Sequence, residues 1–335
     1  MFRIKKRTRI TFLFLLIITP FVLSIIPEAE GYLDIFIFAG IYTLIAIGLS
    51  LLMGYAGQIS LGHAAFFGIG AYVSGILTVN YEWNPWACMI CGIVVCIAVA
   101  YAIGIPALKL QGHYLAMGTL AFGIVVYIIF SEEAAITGGP DGMGGIPGLS
   151  LFGFEFDSMI SYYYLVWTIV IIVFLLSVNL IQSKTGRALR AIHTSQMASS
   201  AMGINVPVYK AHIFVYSAVL ASVAGSLYAH YINFINPGSF DVSFSILLII
   251  MIVVGGMHSI WGAVLGALLI TFLSLEWIEA TQEWLGTIFN KDFNEFETLT
   301  FGGILLLTTI FLPEGLVSIP DQIKLLTRKR KESKL

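Results

Sequence analysis

Residues 35–81 read IFIFAGIYTLIAIGLSLLMGYAGQISLGHAAFFGIGAYVSGILTVNY, a run without one Asp, Glu, Lys or Arg. A helix rises about 1.5 Å per residue and needs about 20 apolar residues to cross the hydrocarbon core of a bilayer. The run is therefore too long for one crossing and long enough for two. Gly54, Gly57 and Gly62 stand where the chain has to reverse, so the stretch reads as two helices with a glycine-rich break between them.

The same logic extends in both directions. Residues 242–275 are also uncharged and are interrupted by Gly255, Gly256 and Gly262, which gives a second broken pair. Single uncharged windows lie at 10–26, 86–105, 114–130, 162–181 and 211–232, with a shorter one at 299–312. The expected fold is all-α: a polytopic integral membrane helical bundle of about ten spans with glycine-broken helices, formed as one transmembrane domain over residues 1–335. Composition agrees. Of 335 residues 58% are hydrophobic and 11% charged, and the mean hydropathy is +0.92, more apolar surface than a soluble domain of this length can bury.

The net charge of -2 conceals a sorting along the chain. With the N-terminus inside, alternation of the windows puts every Lys and Arg except Lys291 on the inner side, and nearly all Asp and Glu on the other. Both termini are then cytoplasmic, with short basic tails at 1–9 and 321–335. The first window, preceded by Lys5 to Arg9, is read as a retained helix, its apolar run being longer than that of a cleaved leader. Cys88, Cys91 and Cys96 fall within one window and are read as packing residues. The basic run 328–331 suits anionic lipid and topology, and no nucleic-acid role is expected.

Three functional classes compete: ion-coupled carrier, membrane enzyme, and permease driven by another protein. Carriers keep titratable carboxylates or amines at membrane depth, and the windows hold none. The histidines in or beside them, His63, His113, His212, His230 and His258, sit on separate segments without metal-ligand spacing, so no metal and no cofactor is expected. No phosphate-cradling Gly-x-x-x-x-Gly-Lys-Ser/Thr occurs. Any ATP-driven work must come from a partner, and the place for one is the long inner connection 182–210. Leu189, Ile192, Met197 and Ala201 read there as apolar knobs, small residues 198–200 permit close approach, and Gly203 ahead of Pro207 ends the helix. Such a unit either docks in a groove of another protein or lies on the membrane surface, held by Arg187 and Arg190.

Four separated stretches carry a family likeness: GYAGQISLGHAAFFGIGAY at 54–72, GHYLAMGTL at 112–120, TGGPDGMGG at 137–145 and LPEGL at 312–316. Together they resemble the LivM-type permeases of high-affinity branched-chain amino acid ATP-binding-cassette importers; similar permeases serve urea and short amides. The resemblance implies a heterodimer with a second, homologous permease subunit, two cytoplasmic ATPase subunits, and a periplasmic binding protein delivering leucine, isoleucine or valine across the inner membrane. It also implies that the inner helix docks on the ATPase through a Glu-Ala-Ala…Gly pattern. The positions similar to it here are Gln196, Ala198, Ser199 and Gly203, with glutamate and the second alanine absent.

Physically, the small residues of 54–75 suit either a helix packing seam or a substrate path. In the second reading Gln58, Ser60 and His63 line that path at a helix break, whose N-terminal dipole favours a carboxylate. Ser259 belongs with them, because residues 254–263 echo the first run with a Gly-x-x-Ser step at a break. Residues 137–148 contain Pro-Asp-Gly turn chemistry. They read either as a plain turn or as a contact surface on which Glu132, Glu133, Thr137 and Asp141 meet the binding protein. The mechanism expected is alternating access, with an apolar path that suits an aliphatic side chain and would pass urea as well.

Overall fold

The computed structural model describes residues 30–107, 112–151, 153–278, 281 and 296–318, and the window at 10–26 and both basic tails lie outside these. Apart from a four-residue helix at Ala134–Thr137, eleven α-helices organise the described residues: α1 (Glu30–Ser50), α2 (His63–Tyr81), α3 (Pro85–Ala107), α4 (His113–Glu132), α5 (Met159–Gln182), α6 (Lys184–Thr194), α7 (Gln196–Ala201), α8 (Val206–Ile232), α9 (Val242–Gly255), α10 (Ile260–Phe272) and α11 (Phe296–Phe311). Among the described residues eight helices are long and apolar enough to cross a membrane, counting the π-helical turns Leu51–Tyr55 and Leu273–Ile278 that extend α1 and α10 and the stretch to Ser318 that extends α11. Every window from 35 onward has its helix. The all-α polytopic bundle with glycine-broken helices is therefore the fold of this chain.

The exception in length is α9, whose 14 residues reach about 21 Å, short of the ~30 Å core. Its ends explain this. Asp241 caps the start by accepting from the Phe244 amide at 2.9 Å, and Gly256, at φ 116, cannot continue the helix.

Lipid supplies no hydrophobic force between helices, so close backbone approach and interhelical hydrogen bonds must hold them. The α2–α8 seam does both. A Cβ on Gly225 would stand 1.9 Å from the Phe67 carbonyl oxygen, and Ser226 Oγ donates to the Gly70 carbonyl at 3.1 Å. Helix α1 runs through the middle, enclosed by α5, α8, α9 and α10, while α11 at the rim exposes most of its length. Trp167 Nε1 donates to the Phe36 carbonyl at 3.2 Å and fastens α5 to α1.

At one end of the bundle a loop folds over the helix termini. Strand β1 (Met143–Gly144) pairs antiparallel with β4 (Phe234–Ile235), and β2 (Ser150–Leu151) with β3 (Phe154–Glu155). His230 fixes this loop: its Nδ1 donates to the Pro147 carbonyl at 2.7 Å, which leaves Nε2 to accept from Ser74 Oγ at 2.8 Å. The three cysteines are free thiols in α3, Cys88 and Cys96 being buried.

Candidate functional site: two facing helix breaks

The two glycine-rich breaks lie against each other at the end opposite that loop. After Ser50 the backbone enters the π-turn, and the amides of Gly57 and Gln58 close back onto the carbonyls of Met53 (3.2 Å) and Leu52 (3.1 Å). Gly57 takes φ +66, a conformation that side chains rarely adopt. The chain then crosses residues 58–62 before α2 begins at His63. On the facing side α9 stops at Gly255, and Ser259 in extended conformation precedes α10.

Four contacts join the breaks. Ser50 Oγ donates to the Met257 carbonyl at 2.9 Å, and Tyr55 Oη to that of His258 at 2.8 Å. His258 Nδ1 lies 2.8 Å from the Gly54 carbonyl, which can only accept, so Nδ1 carries the proton. Gly54 itself touches Met257: a Cβ there would fall 1.9 Å from the Met257 carbonyl oxygen. The sequence echo between 54–63 and 254–263 is thus a physical interface. Gly256 in turn meets the chain after α11, where a Cβ would be 2.8 Å from the Glu314 carbonyl oxygen, so the LPEGL stretch closes the second break.

The polar residues of the first break behave differently from one another. Ser217 Oγ donates to the Phe214 carbonyl at 2.8 Å, so it accepts from His63 Nε2 at 3.0 Å, and His63 Nδ1 then accepts from Ser60 Oγ at 3.0 Å. Ser60 and His63 are consequently buried and paired, in a chain that reaches into α8. One free amide of the first turn of α2 is also answered within the protein, the Ala64 N–H by Ser245 Oγ at 3.1 Å. Just before it, the Leu61 N–H goes to Thr119 Oγ1 at 3.0 Å. Gln58 stands apart. It is 1% exposed, and neither its amide oxygen nor its amide nitrogen has a hydrogen-bond partner. An amide buried in that way costs on the order of 1–3 kcal/mol per unmet group. Ser259 is half-buried at the second break.

Helices α6 and α7 form a hairpin beside the breaks. Ser183 caps α6 by accepting from the Thr185 amide at 3.1 Å, and Ser195 caps α7 by accepting from that of Ala198 at 3.2 Å. The expected knobs divide. Leu189 and Ile192 point into the bundle and are buried, because α6 packs on α5 and is amphipathic, so they are not available to a partner. Met197, by contrast, is 86% exposed, and Ala201 is exposed too; Met202, not expected from the sequence, is 80% exposed beside them. Arg187, Arg190, Ala198 and Gly203 are exposed, Gln196 is partly so, and Ser199 turns inward to donate to the Ser195 carbonyl at 2.8 Å. Gly203, at φ +83, ends the hairpin.

Two side chains of α6 bear on the breaks, Arg190 through its charge on Tyr55 and His193 through its ring. The His193 ring lies edge-to-face on His258, with centroids 5.5 Å apart at 89°, and a Cβ on Gly57 would be 3.0 Å from its Cδ2.

At the loop end, Glu132, Glu133 and Asp141 are exposed, whereas Thr137 is buried. Its hydroxyl lies 2.7 Å from the Phe130 carbonyl and 2.9 Å from that of Glu133, and it accepts from the Gly139 amide at 3.2 Å, fastening the turn the carboxylates project from. A cavity of about 470 Å³ opens nearby, lined by Asp34, Asp157, Tyr162, His230, Tyr231 and Asn233 among others. Tyr231 Oη donates to Asp34 there. Among the described residues no group of His, Cys, Asp and Glu could hold a metal ion.

The family model for the permease component of the branched-chain amino acid transport system matches residues 31–309, which takes in both breaks and the α6–α7 hairpin. The chain belongs to the branched-chain amino acid transport permease family. It is 30% identical to the high-affinity branched-chain amino acid transport system permease protein LivM of Escherichia coli (strain K12), across 96% of this chain and 77% of that one. It is also 27% identical to BraD of Pseudomonas aeruginosa and 25% identical to LivH of Escherichia coli (strain K12), in each case across 84% of this chain and 92% of the relative. Membership makes this a multi-pass membrane transport permease, one component of a transport system of several subunits. Within this permease, sequence reading had placed Gln58, Ser60 and His63 at a break. It had missed Ser217, which pairs with His63, had missed Thr119 and Ser245, which accept from the Leu61 and Ala64 amides, and had missed His193. No local signal marks these residues. Each is an ordinary helix residue whose importance arises only from what folds against it.

Proposed function

We propose that the chain is one transmembrane subunit of an ATP-binding-cassette importer that moves leucine, isoleucine and valine across the inner membrane. Residues 1–335 act as a single permease domain with both termini cytoplasmic, and residues 182–210 form the cytoplasmic coupling segment. A second, homologous permease completes the path, two separate subunits hydrolyse ATP, and a periplasmic protein delivers the substrate. Matches to both LivM- and LivH-named relatives support a pair of related permeases.

The observation that carries this reading is the α6–α7 hairpin, seated on the bundle through Leu189 and Ile192 while Met197 and Met202 face outward. Exposed methionines on a short helix suit an apolar groove on another protein. Arg187, Arg190, Gln196, Ala198, Ser199 and Gly203 compose or brace that docking surface. Glu132, Glu133 and Asp141, on the turn held by Thr137, meet the binding protein at the other end. Gln58, with Ser60, His63 and Ser259 around the breaks, belongs to the substrate path, Gln58 being the side chain with hydrogen-bonding capacity to spare.

Reconstitution tests the reading. With partner subunits and binding protein in liposomes, leucine uptake is expected only when ATP is supplied. Concentrative uptake by this chain alone on a proton or sodium gradient overturns it, and uptake of urea in preference to leucine overturns the substrate assignment.

A further inference from the structure

The hairpin and the two breaks form a continuous chain of contacts in which one residue is common to all three. His193 occupies the last turn of α6. Its ring touches Gly57 in the first break and His258 in the second, and His258 is itself bonded through Nδ1 to the Gly54 carbonyl inside the π-turn. A displacement of α6 therefore reaches both reversals of the chain through the His193 imidazole without passing through an intervening residue, beside the charge that Arg190 places on Tyr55 in the first break alone. Leu189 and Ile192 anchor the rest of α6 among buried side chains, so the hairpin moves as a body with the helices it packs on.

The breaks are fit to respond. A π-turn is a strained, single-turn departure from the α-helix that recurs at functional positions. Gly57 and Gly256, at φ +66 and +116, supply backbone freedom on either side of the interface. Gln58, one residue beyond Gly57, is buried with both amide atoms unmet, so this arrangement of the first break leaves unsatisfied a group that a second arrangement or a bound substrate can satisfy. Coupling between distant sites needs such an element with two arrangements, together with a contact by which the remote site biases it. The first break supplies the element and His193 supplies the contact.

We propose that His193 is the positioning residue that transmits movement of the α6–α7 hairpin to both helix breaks, required for coupling and dispensable for folding, for assembly and for ATP hydrolysis by the partners. The inference rests on reading the hairpin as the ATPase docking element. It assigns His193 no contact with substrate or nucleotide. What the residue contributes is an edge-on aromatic ring, so a phenyl ring in its place preserves the function and a methyl group does not.

The test uses the complete transporter in liposomes, with leucine uptake and ATP hydrolysis measured in the same vesicles. His193→Ala is expected to assemble and hydrolyse ATP while leucine moved per ATP falls about tenfold, a size ordinary for coupling between sites. His193→Phe is expected to restore most of that ratio. Amide hydrogen exchange over residues 51–62 provides a second readout: nucleotide is expected to alter it in the wild-type complex and not in His193→Ala. A wild-type ratio in His193→Ala, equal defects in the Ala and Phe variants, or loss of the ATPase subunits from the purified His193→Ala complex each overturns the proposal. Failure of the underlying reading looks different, since the wild-type complex would then take up leucine without ATP.

Discussion

His258 donates its Nδ1 proton to the backbone carbonyl of Gly54, 204 residues earlier in the chain, across 2.8 Å. That bond joins the two places where the bundle's broken helix pairs turn back, and it falls in the π-turn, where the helix has ceased to satisfy its own carbonyls in the regular way. His258→Phe keeps a ring for His193 to rest on and removes the donor. Interhelical hydrogen bonds in membrane proteins average about 0.6 kcal/mol, so a small loss of thermal stability is expected in detergent, with a larger proportional loss of uptake. Unfolding curves and uptake rates on the same preparation check this; unchanged uptake would remove the bond from the working mechanism.

The glycines of the first break are not equivalent to those near the rim. Gly54→Ala is expected to prevent the two breaks from closing, because the new methyl would stand 1.9 Å from a backbone oxygen that no rotamer change can move. Gly302→Ala, in α11 with nothing within 4 Å, is expected to be neutral or to gain about 0.5–1 kcal/mol from reduced chain freedom. Yield and monodispersity of the two proteins on size-exclusion chromatography provide the comparison. Equal behaviour of the pair would refute the close approach.

Gln58 offers a separation of stability from function. Its amide is buried without a partner, so Gln58→Leu deletes an unsatisfied group and keeps most of the volume. Stability is expected to hold or to rise by about 1 kcal/mol, since the desolvation penalty of the amide disappears. Uptake is expected to fall at the same time. A Gln58→Leu protein that transports at the wild-type rate would strike the residue from the substrate path. Ser60→Ala contrasts with it: the Nδ1 of His63 loses its donor inside the bundle, and a destabilisation of about 1–3 kcal/mol is expected by thermal denaturation.

Much of this architecture was legible in the sequence, for a physical reason. Bilayer thickness sets helix length, and a charge-free run such as residues 35–81 has few other ways to exist. The breaks at Gly54–Gly62 and Gly255–Gly256 were visible because glycine marks reversals. That the breaks face each other was foreshadowed only as an echo, since tertiary pairing leaves no periodic trace. The short α9 and the outward or inward sense of Leu189 and Met197 were hidden for the same reason: both are apolar residues of one connection, and only the packing of α6 on α5 distinguishes them. The chain of bonds from Ser60 through His63 to Ser217 could not be read locally, because Ser217 lies in a helix far along the chain.

The hairpin yields the last prediction. Met197 and Met202 contribute nothing to the buried core, so Met197→Asp with Met202→Asp is expected to leave helicity and melting temperature of the isolated chain unchanged. Leu189→Ala, at a fully buried site on the other side of the same hairpin, is expected to cost about 2–5 kcal/mol, the range for truncating a large buried aliphatic side chain. The two variants exchange roles when partners are present. The aspartates place charge on an apolar docking surface and are expected to abolish co-purification of the ATPase subunits. Leu189→Ala leaves that surface chemically intact and is expected to retain co-purification at temperatures where it remains folded. Pull-down at several temperatures separates the cases: if the double aspartate variant still captures the ATPases, the outward methionines are not where the power stroke enters the membrane subunit.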